Sequence, residues 1–386
     1  MSEGENVMRE SPEDTAVQTE NDCNIYRLAE DLGIQERKVI DFTASVNPLG
    51  VSKKVKAEIR KHLKYLHHYP DPEAKRLRKR LAQYHGVDPE TIVCGNGSTE
   101  LIYLTVKTLR PQRVLIPAPT FSGYELALLA SNTMAKGNGI EFLSLRRENS
   151  FEIRPAEFID CLRGEEHSSA GPSRSFDMAF LCNPNNPTGR LLRREGVREI
   201  AAAARALGSY LVVDEAFIDF SPDDSVTGDV ADNPYLIVLR SMSNFHALAG
   251  LRLGYGVFPL HFAGKIREYK EPWTVNSLAQ RAAVTALKDK AYREETFRLL
   301  RQEKFFLEKF FRKSGIEFIP SDANFYLLKM NNAHEICLDL QRKGILVRDS
   351  SGFRGLDGAY LRIAVKSHRE NTIFIRELAE ILHQGR

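Results

Sequence analysis

The stretch SMSNFHALAGLRLGYG, residues 241 to 256, sets two hydroxyls, Ser241 and Ser243, ahead of a Gly-Leu-Arg-Leu-Gly turn carrying Arg252. A guanidinium offers two parallel donors to phosphate oxygens, and the hydroxyls add more, so the stretch can clamp a phosphate. A second candidate is CGNGSTE, with Gly97, Ser98 and Thr99 where an apolar run gives way to a helical one. Free N–H groups at a helix start attract anions. Taken alone, a Ser/Thr cap on a glycine turn explains that stretch better. In NPNNPTG, Asn183 to Gly189, a tight loop is the default reading. The doubled Asn-Pro exceeds what a turn needs, and Asn186 can offer its amide to a ligand oxygen. LVVDEAF puts Asp214 directly after three apolar residues, where a buried carboxylate must be paired. Its partner is either a protonated ring nitrogen or a helix N-terminus. AYLRIAV embeds Arg362 in an apolar run, which suggests a buried anion such as a substrate carboxylate.

These residues sit at the ends of short apolar runs that alternate with helical stretches. TIVCGNG leads into STELIYLTVKTL, RVLIPAPTF into SGYELALLA, and MAFLCNPNNPTG into REGVREIAAAARALG; YLVVDEAF and LIVLRSMS follow. Such alternation predicts an α/β fold with a mostly parallel sheet and helices on both faces, its functional residues at the carboxyl ends of strands. NIYRLAEDLGI predicts a short helix, and VIDFTASVNPLG a strand running into a turn. PEAKRLRKRLAQYHG carries Ala74, Leu77, Leu81 and Tyr84 at helical spacing and stops at Gly86. A long charged helix is expected over roughly 276–313. Beyond it, IEFIPSDANFYLLKM, a helix AHEICLDLQRKG, a strand ILVRDSS, the strand AYLRIAV and a last helix predict a smaller α+β domain. The polar tract 163–175 reads as a loop.

Composition sets the class. The chain has 386 residues, 42% hydrophobic and 27% charged, with net charge +3. No basic block stands out, so no nucleic-acid partner is expected, and no apolar run approaches the ~18 residues of a membrane span. Residues 1–23 are acidic, lack an apolar region and predict a disordered arm rather than a targeting segment. Five scattered cysteines (Cys23, Cys94, Cys161, Cys182 and Cys337) lack metal spacing, which predicts reduced thiols, a cytoplasmic protein and no metal site.

The order of CNPNNPTG, VVDEAFIDF, GLRLGYG and YPDPEAKRLRKRLA resembles the fold-type-I pyridoxal-phosphate enzymes, the aminotransferase class I/II group, from about Asn24 onward. Within that group the stretches look most like the threonine-phosphate decarboxylases of cobalamin biosynthesis, then the histidinol-phosphate aminotransferases. The resemblance implies a seven-stranded sheet, and pyridoxal 5′-phosphate as cofactor. It implies that Asp214 keeps the pyridine nitrogen protonated, Asn186 meets the ring hydroxyl, and Phe121 of APTFSGYE stacks on the ring. Gly97, Ser98, Ser241, Ser243 and Arg252 would hold the phosphate, and Arg362 the substrate α-carboxylate. Tyr69 of HHYPDP would reach the phosphate of a partner subunit, making the protein a homodimer. Phe217 stands where many aminotransferases of the group carry a tyrosine, which favours the decarboxylase side. The implied division is 1–23, the arm; 24–45, a segment packing near the small domain; 46–275, the large cofactor-binding domain; and 276–386, the small domain. The partner is an amino-acid substrate, phosphorylated or not, with no nucleic acid and no membrane.

Two departures qualify the resemblance. The group's Schiff-base lysine belongs at position 244, where this chain has Asn244. An amide can neither condense with an aldehyde nor move a proton, and losing a positioned acid–base group typically costs ~10²–10⁴-fold. His246 and Lys270 are near in sequence but do not match the lysine position. An inactivated variant, a degenerate paralogue, and a protein that binds the cofactor–amine adduct without turning it over remain open. A histidinol-phosphate-type aminotransferase and a non-catalytic binding protein are the rival functions. The second departure is Asn21, Asp22 and Cys23 in place of the His-Gly-Gly usual in threonine-phosphate decarboxylases, in a segment that covers the substrate there. Asp22 would repel a substrate phosphate.

Overall fold

The structure is a computed structural model that describes residues 24–131, 139–164 and 176–384. The expected arm at 1–23, the Asn21–Cys23 departure and nearly all of the loop expected at 163–175 lie outside the described residues. The described chain opens with α1 (Ile25–Asp31), capped by Asn24, whose Oδ1 accepts the Arg27 N–H at 2.9 Å. Then come β1 (Ile40–Asp41), α2 (Lys53–His62) and α3 (Lys75–His85). Gly86 ends α3 at φ +70, a left-handed turn that glycine enters without steric penalty.

A strand–helix alternation follows: β2 (Ile92–Gly95), α4 (Gly97–Leu109), β3 (Val114–Ala118), α5 (Gly123–Ala130), β4 (Ile140–Ser144), α6 (Pro155–Arg163), β5 (Met178–Cys182), α7 (Arg194–Leu207), β6 (Tyr210–Asp214), β7 (Leu236–Ser241) and β8 (Gly254–Val257). Among the described residues these strands form a seven-stranded sheet in the order β2-β8-β7-β6-β5-β3-β4, with β8 antiparallel to both neighbours and the other pairs parallel. The side-chain period of two explains why helices cover both faces. Ala179, Leu181, Leu211 and Val213 enter one core, with Val197 and Ile200 of α7 and Phe158 of α6. Phe180, Val212, Ile237 and Leu239 enter the other, with Leu101 of α4 and Tyr124 of α5. Burying both faces turns each strand into a continuous apolar run, and each fully buried Leu or Val contributes about 1.5–3 kcal/mol.

Next come α8 (Leu260–Tyr269), α9 (Ser277–Ala286) and α10 (Lys290–Ser314). The single charged helix expected over 276–313 is two helices, because the chain turns at Leu287–Asp289. Asp289 stands at the N-cap of α10, where a carboxylate suits the helix dipole, and it pairs with Lys54 at 2.7 Å. After β9 (Glu317–Phe318), β10 (Phe325–Lys329) and α11 (Ala333–Arg342), the run ILVRDSS also divides. Ile345–Leu346 (β11) pairs in parallel with β1, while Arg348–Asp349 (β12) pairs with β13 (Tyr360–Ala364). The order β12-β13-β10-β9 is an antiparallel sheet backed by α10, α11 and the last helix, α12 (His368–Gln384). The N-terminal segment forms a two-stranded sheet of its own with β11, Ile40 pairing with Ile345, and is tied to the four-stranded sheet where the Phe42 carbonyl accepts the Ala364 N–H at 2.8 Å. Among the described residues no helix is long and apolar enough to cross a membrane.

Candidate active site

Strand register brings the candidates to one edge of the large sheet. Asp214 ends β6 opposite Leu239, and Ser241 lies two residues further along β7. Ser241 pairs with Gly254, and Gly254 with Gly95. Since β8 runs antiparallel, its first residue stands beside the last residues of its neighbours. Cys182 pairs with Asp214, so the Asn183–Gly189 loop leaves β5 at the same edge.

Helix α4 starts there. The Ser/Thr cap does not occur: the N-cap is Asn96, its side chain makes no capping bond, and Ser98 and Thr99 lie in the first turn. The Asn96 N–H is taken by the Glu100 carboxylate. Gly97 sits at φ +81, and a Cβ on it would lie 2.6 Å from Arg252 Nη2; a Cβ on Gly254 would lie 2.2 Å from the Ser98 nitrogen. These two glycines let the helix start close onto β8 and the Arg252 guanidinium. Ser241 Oγ accepts the Ser243 N–H at 3.2 Å, which curls the chain after β7 toward the same point. The unpaired donors of the first helical turn, the positive end of the dipole, two hydroxyls and a guanidinium together suit a phosphate.

Asp214 is buried, with one donor on each oxygen: the Tyr124 hydroxyl on Oδ2 at 2.8 Å and the Ala216 N–H on Oδ1 at 3.0 Å. Burial pushes Asp214 up to about 6, against the downward pull of Tyr124 and Ala216. Burial also raises Tyr124 well above the usual phenol range, so it remains a donor. Tyr124 stacks on Phe180 at 4.5 Å and meets Phe121 edge-on at 5.4 Å. Sequence reasoning passed over Tyr124; its place in the first turn of α5, three residues after Phe121, was the available signal.

The asparagines of the loop divide their work. Asn183 exchanges two 2.8 Å bonds with the Leu192 backbone, and Asn185 binds the Pro119 carbonyl, Thr188 and Thr120, so both hold the loop's shape. Asn186 reaches out instead, its Oδ1 accepting from Arg362 Nη1, while Arg362 Nη2 donates to the Thr43 carbonyl at 2.8 Å. Arg362 lies directly opposite Arg348 across the β12–β13 pair, so two guanidiniums share one face. Arg348 was also missed, because the partner-switching strand that carries it reads as one plain run.

Behind this edge lies a buried ion cluster. Arg240 binds Glu215 at 3.0 Å and Asp219 at 2.6 Å, with Ser225 and Thr227 as further acceptors. Although burial pushes Asp219 up, the Arg240 and Arg293 guanidiniums outweigh it and hold it below the usual carboxylate range. His246 belongs to this cluster: burial lowers it to about 4, with Asp219, Arg293 and Arg240 as its charged neighbours. Lys270 is committed to Thr274 and to the Glu271 carbonyl, and burial lowers it as well. Asn244 is half-buried, and its Nδ2 donates to the Ala216 carbonyl at 3.2 Å. Phe217 is buried edge-on against Phe325 of the small sheet. Tyr69 is 83% exposed, its ring 5.4 Å from that of Trp273.

With this geometry in place, comparison with known proteins is informative. The sequence pattern of the aminotransferase class I and II family matches residues 37–378. The chain is 35% identical over 368 residues to threonine-phosphate decarboxylase of Salmonella typhimurium, covering 93% of this chain and 95% of that protein. It is 34% identical over 351 residues to histidinol-phosphate aminotransferase 2 of Archaeoglobus fulgidus, covering 90% and 94%. The fold superposes with TM-score 0.81 and 21% identity on histidinol-phosphate aminotransferase of Sinorhizobium meliloti in complex with pyridoxal-5′-phosphate, covering 98% and 100%.

Proposed function

The chain belongs to the aminotransferase class I and II family of pyridoxal-phosphate enzymes, and from that premise we propose that its cleft holds pyridoxal 5′-phosphate without a covalent tether. The site is of the threonine-phosphate-decarboxylase type, its turnover lowered by Asn244. The observation that carries this reading is Asp214: a carboxylate buried at the end of a central strand and pushed up to about 6, for which a cationic ring nitrogen is the fitting partner. Gly97, Ser98, Ser241, Ser243 and Arg252 hold the phosphate, Asn186 meets the ring hydroxyl, and Phe121 covers a ring face. The bound cofactor supplies an electron sink for a bond broken at the substrate Cα.

Arg362 takes the α-carboxylate, and Arg348 beside it adds charge for a phosphorylated side chain. Phe217 offers no hydroxyl to the ring, which supports decarboxylation over histidinol-phosphate-type transamination. The exposure of Tyr69 supports its reaching the phosphate of a second copy in a homodimer. A division into 24–45, 46–275 and 276–386 is supported by the separate large and small sheets, although Ala279, Ala282 and Ala283 of α9 pack in the core of the large sheet. We infer a cytoplasmic protein acting on a small amino acid.

Calorimetric titration with pyridoxal 5′-phosphate tests the reading. Saturable binding is expected, weakened about 10- to 100-fold by Arg252→Ala, since a bond to a charged group contributes about 1.5–3 kcal/mol. No saturable binding at millimolar cofactor would leave the non-catalytic rival, a fold kept for another ligand.

The pH dependence has a definite sign. Asp214 is raised in the fold, so its stabilising contribution is present below its unfolded pKa near 3.9 and lost as pH rises through about 6. The ring cation recovers that loss only when Asp214 is ionised, so cofactor affinity should fall as pH drops below about 6. Tyr124→Phe removes a bond to the charged form and should move this midpoint up by about one unit. A Tyr124→Phe profile with the same midpoint would show that Tyr124 only packs.

A further inference from the structure

Glu100 is a carboxylate in the very turn that suits an anion. It is half-buried in α4, and its Oε2 accepts the Asn96 N–H at 2.5 Å, four residues back, so the side chain folds over the helix start. Helical side chains lean toward the N-terminus, which favours this reach. Gly95 leaves room for it: a Cβ there would lie 2.9 Å from the same oxygen. That oxygen accepts a second bond, at 3.2 Å, from the Thr274 hydroxyl in the loop between α8 and α9. Thr274 is held in turn by Lys270, whose Nζ also donates to the Glu271 carbonyl at 3.0 Å. An ammonium only donates, so the Thr274 oxygen accepts from Lys270 and its own hydrogen is left for Glu100. Burial lowers Lys270, and Glu100 is the foremost charge that raises it.

We propose that Glu100, Thr274 and Lys270 form a positioning relay for the ligand phosphate. The relay rests on the cofactor reading, which puts that phosphate at the start of α4. The first four N–H groups of a helix have no partner within it. Glu100 takes that of Asn96, which fixes the turn and leaves those of Gly97, Ser98 and Thr99 for the phosphate. A carboxylate so close to a phosphate repels it unless a cation balances the charge. Lys270 supplies that cation. It acts through one hydroxyl rather than by direct contact, so Glu100 keeps its bond to Asn96, and hydrogen bonds in such a chain polarise one another. The link spans 174 residues, from the first turn of α4 to the loop beyond α8. All three side chains act on the ligand through the helix turn, which makes them positioning residues. A Glu100 that only capped the helix would leave Lys270 without influence on the phosphate.

A double-mutant cycle on the full chain, read by calorimetric titration with pyridoxal 5′-phosphate at neutral pH, tests the relay. Lys270→Met should weaken binding about tenfold, the order expected when neighbouring groups are coupled. Made in Glu100→Gln, which keeps an acceptor for Asn96 and removes the charge, the same change should weaken binding less than about threefold. Thr274→Val keeps the lysine and cuts the link, and should weaken binding about threefold or more. Unchanged affinity in both Lys270→Met and Thr274→Val would overturn the relay. A loss of equal size in the two backgrounds would overturn Lys270 as the counter-charge to Glu100. A lower unfolding temperature in the ligand-free variants, with affinity unaltered, would show that these bonds serve only the fold. No saturable binding by the unaltered chain would instead defeat the cofactor reading itself, so the two failures are distinguishable.

Discussion

Replacing Asn244 by lysine should turn a reversibly bound cofactor into a covalently held one and raise turnover at least ~10²-fold, the lower end of what a positioned acid–base group contributes. The reason is local. Asn244 follows the hydroxyl pair Ser241 and Ser243 at the end of β7, and its side chain points to the Ala216 carbonyl, two residues past Asp214. With phosphate and ring nitrogen both fixed, a new amine meets the aldehyde carbon as an intramolecular partner; such preorganisation reaches effective molarities of ~10⁵–10⁸ M in favourable cases. The bond lost to Ala216 contributes about 1 kcal/mol, so the fold tolerates the change. Three readouts check it: a visible absorption band that survives gel filtration, cofactor mass trapped on the chain by borohydride, and carbon dioxide released from threonine phosphate. A trapped cofactor without turnover would place a second defect at Asn21–Cys23, the segment that departs from the related decarboxylases. No trapped cofactor would mean that residue 244 does not face the aldehyde.

The largest loss of stability is expected from Arg240→Met. Arg240 is buried between Glu215 and Asp219, themselves buried, and next to it in sequence is Ser241, as Asp214 is next to Glu215. The cluster therefore holds the ends of β6 and β7 that carry the site. Removing the guanidinium leaves buried Glu215 without its cation and Asp219 with only the more distant Arg293, 3.8 Å away, which costs about 3–5 kcal/mol, a large part of a typical 5–15 kcal/mol stability. Urea unfolding at neutral pH measures it. Combining Arg240→Met with Glu215→Gln and Asp219→Asn should recover much of the loss, since no buried carboxylate is then left unpaired and Arg293 is partly exposed to solvent. Similar damage in the single and triple variants would show that Arg240 acts by packing and not by charge.

The layout of the large sheet was legible because each strand is buried on both faces and reads as a short apolar run ending at a polar residue. Asp214, Asn186 and Ser241 stand out for that reason. Long-range partners were not legible. Tyr124 meets Asp214 across 90 residues, and Arg362 meets Asn186 across 176; no local pattern encodes such pairs. Glu215 and Asp219 carry no local signal of a role; the β6–β7 register sets Glu215 beside Arg240, and the turn after β6 brings Asp219 to it. Periodicity also overran two boundaries. The chain turns at Leu287–Asp289 inside a helical pattern of suitable period, with Asp289 as the non-helical N-cap of the next helix, and Val347 carries one apolar run from one sheet to another. The Ser98–Thr99 pair misled in the opposite direction. A hydroxyl before a helix reads as a cap, yet here the helix begins one residue earlier, at Gly97, and the hydroxyls sit inside its first turn.

The most direct test is a crystal structure of the chain with pyridoxal 5′-phosphate bound. The account predicts the phosphate at the first turn of α4, within about 2.7–3.2 Å of the Ser98 N–H and the Arg252 guanidinium, and the pyridine nitrogen on an Asp214 carboxylate oxygen. A phosphate seated elsewhere, or a ring nitrogen turned away from Asp214, would contradict it.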